Sequence, residues 1–188
     1  MLSSVCSTDR DWETVDNILI EKDLFTLYTN LISSPVWDLH RTSLLPTDDG
    51  PFDMGCFPGF IVKDRDKIYN HFWHGYFASL FERINVKFFE ENKYYLPRNI
   101  IRINLGAKNE TSLTEFHIDD KNPGVYTILG FLTPIWAKDW GGHLQVEDKK
   151  IDYKPGRFMI FKSDSIHNGV GPSQKIPYWR ISINYLVQ

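Results

Sequence analysis

The sequence predicts an α+β fold in which helices of the N-terminal half brace a C-terminal β-barrel of jelly-roll type. Two observations carry that reading. Before Tyr94-Tyr-Leu-Pro97 the apolar residues recur mainly at helical spacing, and after it they alternate with polar ones, the period of a strand. From there on, short apolar runs are cut by Asn122-Pro-Gly, Trp140-Gly-Gly, Lys154-Pro-Gly and Gly171-Pro-Ser, all turn chemistry. Eight or so short strands with frequent turns make a sandwich or barrel. At 188 residues the chain fits one domain, with 1–97 as mainly helical support and 98–188 as the jelly-roll core. No internal repeat or low-complexity linker marks a boundary.

Taken in order, residues 1–34 read as helical, with Ser7 or Thr8 as cap and Trp12, Val15, Ile18, Leu19, Leu24, Leu27 and Leu31 at roughly helical spacing. Ser34-Pro35 ends that element. Residues 36–45 read as a short strand, 46–51 as a loop, and Phe52 to Gly59 as irregular, being rich in Gly and Pro. From Asp66 to about Asn92 the helical period returns. His71 and His74 sit i,i+3 there, but nothing completes a metal set around them. Arg41, Arg65 and Arg83 read as solvated charges or ordinary ion pairs. Asn99 to Gly106 alternates, with Ile101, Ile103 and Leu105 on one face and Arg102 and Asn104 on the other. The remaining strand segments are 113–118, 125–132, 143–147, 150–153, 158–161, 167–170 and 178–187.

Composition narrows the function classes. Hydrophobic content of 42% with 15% aromatics describes a globular protein, and a net charge of −3 gives no basic surplus for nucleic acid. Cys6 and Cys56 are too few for a disulfide framework and lack metal-site spacing. No stretch approaches the roughly 20 apolar residues of a membrane span, and the N-terminus lacks a signal-peptide pattern. The expectation is a cytoplasmic protein with no membrane and no nucleic-acid partner; oligomeric state is not legible.

The chemistry concentrates in Glu115-Phe-His-Ile-Asp-Asp120. On a strand, i and i+2 share a face, so His117 and Asp119 point to one place. His167 supplies a third donor further on. Two imidazoles and one carboxylate on one face of a metal leave the opposite face open, the arrangement of non-haem Fe(II) oxygenases. Asp120 falls on the other face by its period. After His167 comes Arg180 in the alternating Tyr178-Trp-Arg-Ile-Ser-Ile-Asn-Tyr185, placed to aim a guanidinium at a dicarboxylate. Taken singly, each of these residues reads as an ordinary core histidine or strand ion pair. The joint order carries the signal.

From residue 99 to 187 the chain resembles the Fe(II)- and 2-oxoglutarate-dependent oxygenases, particularly the prolyl-4-hydroxylase-like branch. The blocks are His117-Ile-Asp119, Tyr126 to Trp136, Asp139-Trp-Gly-Gly-His-Leu144, Pro155 to Phe161, His167 and Arg180-Ile-Ser. The resemblance implies a double-stranded β-helix core with Fe(II) held by His117, Asp119 and His167. It implies 2-oxoglutarate held at its distal carboxylate by Arg180, with Leu144 packed against it. Phe131 stands where a tyrosine is common, so the co-substrate's other hydrogen bond falls to Tyr126, Thr127, Asn104 or Arg102. With O2, such an enzyme hydroxylates an unactivated C–H of a peptidyl residue, proline-like, or of a free amino acid or small metabolite, releasing succinate and CO2. The carboxylate at Asp119 favours hydroxylation over halogenation. Trp140, Trp179 and His143 are the substrate candidates; Trp136 and Tyr178 read rather as core. Two rivals remain open: a non-catalytic jelly-roll binding module, and a cupin-like metal enzyme that does not use 2-oxoglutarate.

Overall fold

The strand β10 (Arg180–Val187) sits between β4 (Ile100–Lys108) and β5 (Tyr126–Phe131) at the centre of the main sheet. In the computed structural model, which describes residues 12–37, 56–63, 67–93, 95–112 and 114–188, seven strands form this sheet. The others are β1 (Trp12–Val15), β2 (Cys56–Lys63), β3 (Lys67–Ile68) and β8 (Phe158–Lys162), in the order β1-β8-β5-β10-β4-β2-β3. A smaller sheet has the order β7-β6-β9, from β6 (Leu144–Val146), β7 (Lys149–Ile151) and β9 (His167–Gly169). The pairings are antiparallel.

Alternation along β10 and β4 divides the molecule into two compartments. Ile181, Ile183, Tyr185 and Val187 with Ile103, Leu105 and Ala107 point to the helices α1 (Glu21–Ile32) and α2 (His71–Asn92) and form the larger core. From α2, Trp73, Phe77, Leu80, Phe81, Ile84 and Phe88 are buried there, and the Tyr185 hydroxyl donates to the Phe77 carbonyl at 2.9 Å. Each such apolar side chain contributes about 1.5–3 kcal/mol on burial. Asn70 caps α2 by accepting from the Trp73 N–H. On the other face, Leu129, Phe131, Met159 and Phe161 meet Leu144, Val146, Ile151 and Tyr153, so the small sheet closes over the large one.

Four sequence expectations are corrected. Trp12–Val15 is not helical but an edge strand on β8, in register Trp12↔Phe161 to Val15↔Phe158; a pairing partner nearly 150 residues away decides it, and helix forms only from Glu21. The stretch Phe52 to Gly59, expected irregular, contains the start of β2, whose Pro58 lies opposite Gly106; β3 covers β2 only at Val62 and Lys63, so a residue without an N–H is tolerated at that edge. Lys67–Ile68 is a short strand on β2, and α2 starts at His71 rather than at Asp66. Of the segment 113–118, Leu113 lies outside the described residues and 114–118 is no strand: within it His117 alone makes a bridge, to His167. The expectations for 1–11, 38–55 and 64–66, including Ser7, Thr8, Cys6, Arg41 and Arg65, lie outside the described residues.

The N-terminal segment is tied to the β7–β8 turn by charge. Arg157 grips Asp16 with two bonds, Nε to Oδ1 at 2.8 Å and Nη2 to Oδ2 at 3.0 Å, and Lys154 Nζ adds a third at 2.7 Å. Arg157's hydrogen bond is the largest influence on Asp16 and outweighs partial burial, so the carboxyl is held at a pKa of about 2. Among the described residues no helix is long and apolar enough to cross a membrane.

Candidate metal centre

Three segments converge at the mouth between the two sheets. The bridge His117↔His167 is closed by both backbone bonds, N–H to C=O at 2.9 Å in each direction. Two residues on, the N–H groups of Asp119 and Asp120 both donate to the Ser163 carbonyl at 3.0 and 3.2 Å. A full strand is therefore not needed to aim His117 and Asp119 together; one bridge and one forked carbonyl do it. The donor atoms of His117, Asp119 and His167 all lie within 4.8 Å of one another. Asp119 Oδ2 is 3.5 Å from His167 Nε2, and the two imidazole rings are 4.4 Å apart.

Both rings are held in one tautomer. His117 Nδ1 lies 3.1 Å from the Glu115 carbonyl and His167 Nδ1 3.0 Å from the Ser165 carbonyl. A carbonyl only accepts, so each Nδ1 carries the proton and each Nε2 keeps its lone pair. Burial, opposed by Asp119 and aided by His117, holds the His167 pKa below the usual histidine range, which favours the neutral ring that ligates.

Asp119 is equally prepared. Arg102 Nη2 donates to Oδ1 at 2.7 Å, and Thr127 Oγ1 and Asn184 Nδ2 donate to Oδ2 at 2.8 and 3.0 Å. Burial opposes its ionisation, but Arg102, His167 and the bonds from Asn184 and Thr127 prevail, and its pKa is lowered. A carboxylate offers about four lone-pair sites. Three are taken, which leaves one for a metal and favours one-oxygen ligation. The donor set thus fits a divalent metal that accepts two imidazoles and one carboxylate.

Arg180 lies at the other end of the same inner face. It is 1% exposed, donates from Nε to the Gly142 carbonyl at 2.8 Å and lies 3.5 Å from the Ser182 hydroxyl. Its guanidinium stands over the rings of Phe131 and Tyr153, at 5.1 and 5.6 Å. These rings stack on each other at 4.1 Å, and Trp136 stacks on Tyr153 at 4.0 Å. Gly142 has φ 74°, and a Cβ there would lie 2.3 Å from the Trp136 ring, so only glycine lets this loop reach Arg180.

No protein-family model and no curated protein sequence matches the chain, whereas solved structures do. A prolyl hydroxylase from Trichoplax adhaerens, solved with a peptide of hypoxia inducible factor, superposes with a TM-score of 0.61 at 19% identity, over 95% of this chain and 84% of that one. The fold is that of the 2OG-Fe(II) oxygenases. A Pseudomonas putida prolyl-4-hydroxylase gives 0.60 at 13% identity, over 96% and 94% of the two chains. A Burkholderia pseudomallei oxidoreductase of the 2OG-Fe(II) oxygenase family gives 0.67 at 13%, over 94% and 83%.

Within this oxygenase fold the sequence candidates separate. His117, Asp119 and His167 come together, and Thr127, Arg102 and Asn104 share their face of the main sheet. Thr127 is committed to Asp119 and to the Ser163 hydroxyl at 3.0 Å. Leu144 is fully buried beside Phe131 in the cluster between the sheets. Tyr126, one residue from Thr127, points the other way and packs on the helix-side core, as does Trp179. Trp140 packs edge-on to Trp136 at 5.7 Å. His143 is half-buried; burial first, then the charges of Lys150 and Arg180, lowers its pKa. His71 and His74 open α2 and belong to no metal-ligating group among the described residues. Asp120 serves a turn, accepting from the Asn122 N–H at 2.8 Å.

Three participants were missed. Asn184 lies opposite Asn104 in the sheet and shares the face of Arg180 by period two, which the alternation of β10 could have shown. Ser163 sits at the end of β8, found only through tertiary contact. Tyr153 spends its hydroxyl structurally, accepting from the Thr133 N–H and donating to the Ile181 carbonyl, and burial raises its pKa to about 12.

Proposed function

We propose that the protein is an Fe(II)- and 2-oxoglutarate-dependent dioxygenase hydroxylating an unactivated C–H bond. Its substrate is a peptidyl residue of proline type or a free amino acid or similar small metabolite. The observation that carries this reading is the prepared donor set: two imidazoles with Nε2 free, and a carboxylate with one acceptor site remaining. Fe(II) bound by His117, Asp119 and His167 would supply the oxidising chemistry, using 2-oxoglutarate and O2. The balance is one oxygen atom into the substrate as hydroxyl and one into succinate, with CO2 released.

The chain's own groups do the rest. Arg180, buried against Phe131 and Tyr153, suits paired hydrogen bonds to the distal carboxylate, with Ser182 beside it. Leu144 and Phe131 exclude water from the space between the sheets. Arg102, Thr127 and Asn184 fix the Asp119 carboxylate, and the carbonyls of Glu115 and Ser165 fix the rings. Trp140 and His143, on the loop that anchors Arg180, are assigned to substrate contact. We read the two sheets as the double-stranded β-helix.

Succinate release from 2-oxoglutarate under O2 tests this. It should require added Fe(II) and disappear in His117→Ala. Release that persists in His117→Ala would refute the assignment of the metal site. A product-forming enzyme indifferent to Arg180→Ala would instead be one that does not use 2-oxoglutarate.

A further inference from the structure

Arg102 does more than its ion pair requires. Its guanidinium carries five N–H donors, and the bond from Nη2 to Asp119 Oδ1 is the one hydrogen bond it makes among the described residues. Its Nε is buried with no partner there, while 27% of the side chain remains exposed. The fork is thus clamped to a metal-ligand carboxylate at one corner and reachable from solvent elsewhere. Beside it, Asn104 Oδ1 and Asn184 Oδ1 are also buried and unpartnered among the described residues. Asn184 is fixed in orientation, because its Nδ2 donates to Asp119. Such buried polar atoms are rare in native proteins and call for a ligand or water.

Resting on the function proposed above, we infer that the substrate is a small molecule carrying a free carboxylate, and that Arg102 binds that carboxylate beside the metal. Charge points the same way. Asp119 and Arg102 cancel each other, and the α-carboxylate of a 2-oxoacid would offset only one of the two charges of Fe(II). A second carboxylate brings the centre to neutrality. A guanidinium fork matches a carboxylate edge with two parallel N–H bonds. The carbon next to that carboxylate, or one bond further, is then held close to the metal. The Oδ1 atoms of Asn104 and Asn184 are acceptors, which suits a substrate that also carries a neutral N–H group. A peptidyl proline inside a chain has no carboxylate of its own and is disfavoured.

The test uses acetate and acetamide, near-isosteric probes that differ in charge, titrated into the intact protein. Binding is read from the Arg102 Nε–H resonance, assigned by its absence in Arg102→Lys. Acetate should shift that resonance, and acetamide should bind at least tenfold more weakly or not at all. The Fe(II)·2-oxoglutarate complex gives the second readout. Acetate should perturb its charge-transfer absorption, with at least tenfold weaker acetate affinity in Arg102→Lys and Arg102→Met, each compared at Fe(II) concentrations that saturate the variant, because both substitutions also loosen the hold on Asp119. Acetate leaving the resonance unmoved, or acetamide acting equally, would overturn the inference. So would variants that lose 2-oxoglutarate itself, which would assign Arg102 to the co-substrate. Absence of the absorption in the unaltered protein would reject the proposed function instead, and the resonance would still report on the anion site.

Discussion

Gly142→Ala is the substitution whose cost the structure states most completely. The residue holds φ 74°, and a Cβ placed there meets Trp136 Cζ2 at 2.3 Å, far inside contact distance. The backbone strain costs about 1–2 kcal/mol, and pushing a packed ring aside costs about 1–3 kcal/mol. Trp136 has little room to give: its indole N–H donates to the Gly141 carbonyl at 2.9 Å and its ring stacks on Tyr153. The loss should therefore be about 2–5 kcal/mol in urea unfolding, read from the midpoint at constant slope. The effect should also reach the site. The Gly142 carbonyl anchors Arg180 Nε, and the displaced Trp136–Tyr153–Phe131 stack is the surface on which the guanidinium rests. A shift there should weaken 2-oxoglutarate binding by about tenfold, equivalent to about 1.4 kcal/mol. A variant with unchanged unfolding midpoint and unchanged 2-oxoglutarate affinity would refute this chain of contacts.

Other outcomes follow from single contacts. Asp16→Asn should cost about 1–2 kcal/mol after solvent screening. In the unaltered protein that contribution should be whole above pH 4 and fade as pH falls toward the folded value of about 2, so the variant's acid-side stability profile should be flatter. Thr127→Val removes one of the three donors to Asp119 and should lower Fe(II) affinity about tenfold, by metal competition, with the fold retained by circular dichroism. Phe81→Ala, in the helix-side core against Tyr185, should cost about 3–5 kcal/mol and leave the metal affinity of the folded protein unchanged.

How much of this was legible in the sequence depends on whether local period or distant pairing decides an element. The spacing of His117 and Asp119 puts the two side chains on one side, and the structure does bring them together, although through one bridge rather than a strand. Arg102 and Asn104 were placed on one face correctly, because β4 alternates cleanly. Tyr126 and Thr127 were both offered to the co-substrate, yet adjacent strand residues cannot share a face; period two alone excludes one of them. Trp12–Val15 was misread because Trp12, Val15, Ile18 and Leu19 mimic a helical stripe, and the competing partner β8 lies far along the chain. Tyr153 could not be assigned either way, since its hydroxyl is committed by Thr133 and Ile181, which only the folded sheet brings near it.

Anaerobic visible absorption of the protein with Fe(II), before and after 2-oxoglutarate, tests whether the His117–Asp119–His167 site and Arg180 hold metal and 2-oxoacid together. A weak metal-to-ligand charge-transfer band should appear on adding the 2-oxoacid, vanish in His167→Ala and weaken in Arg180→Ala. Iron bound by the protein with no band at any 2-oxoglutarate concentration would refute the proposed 2-oxoglutarate-dependent chemistry.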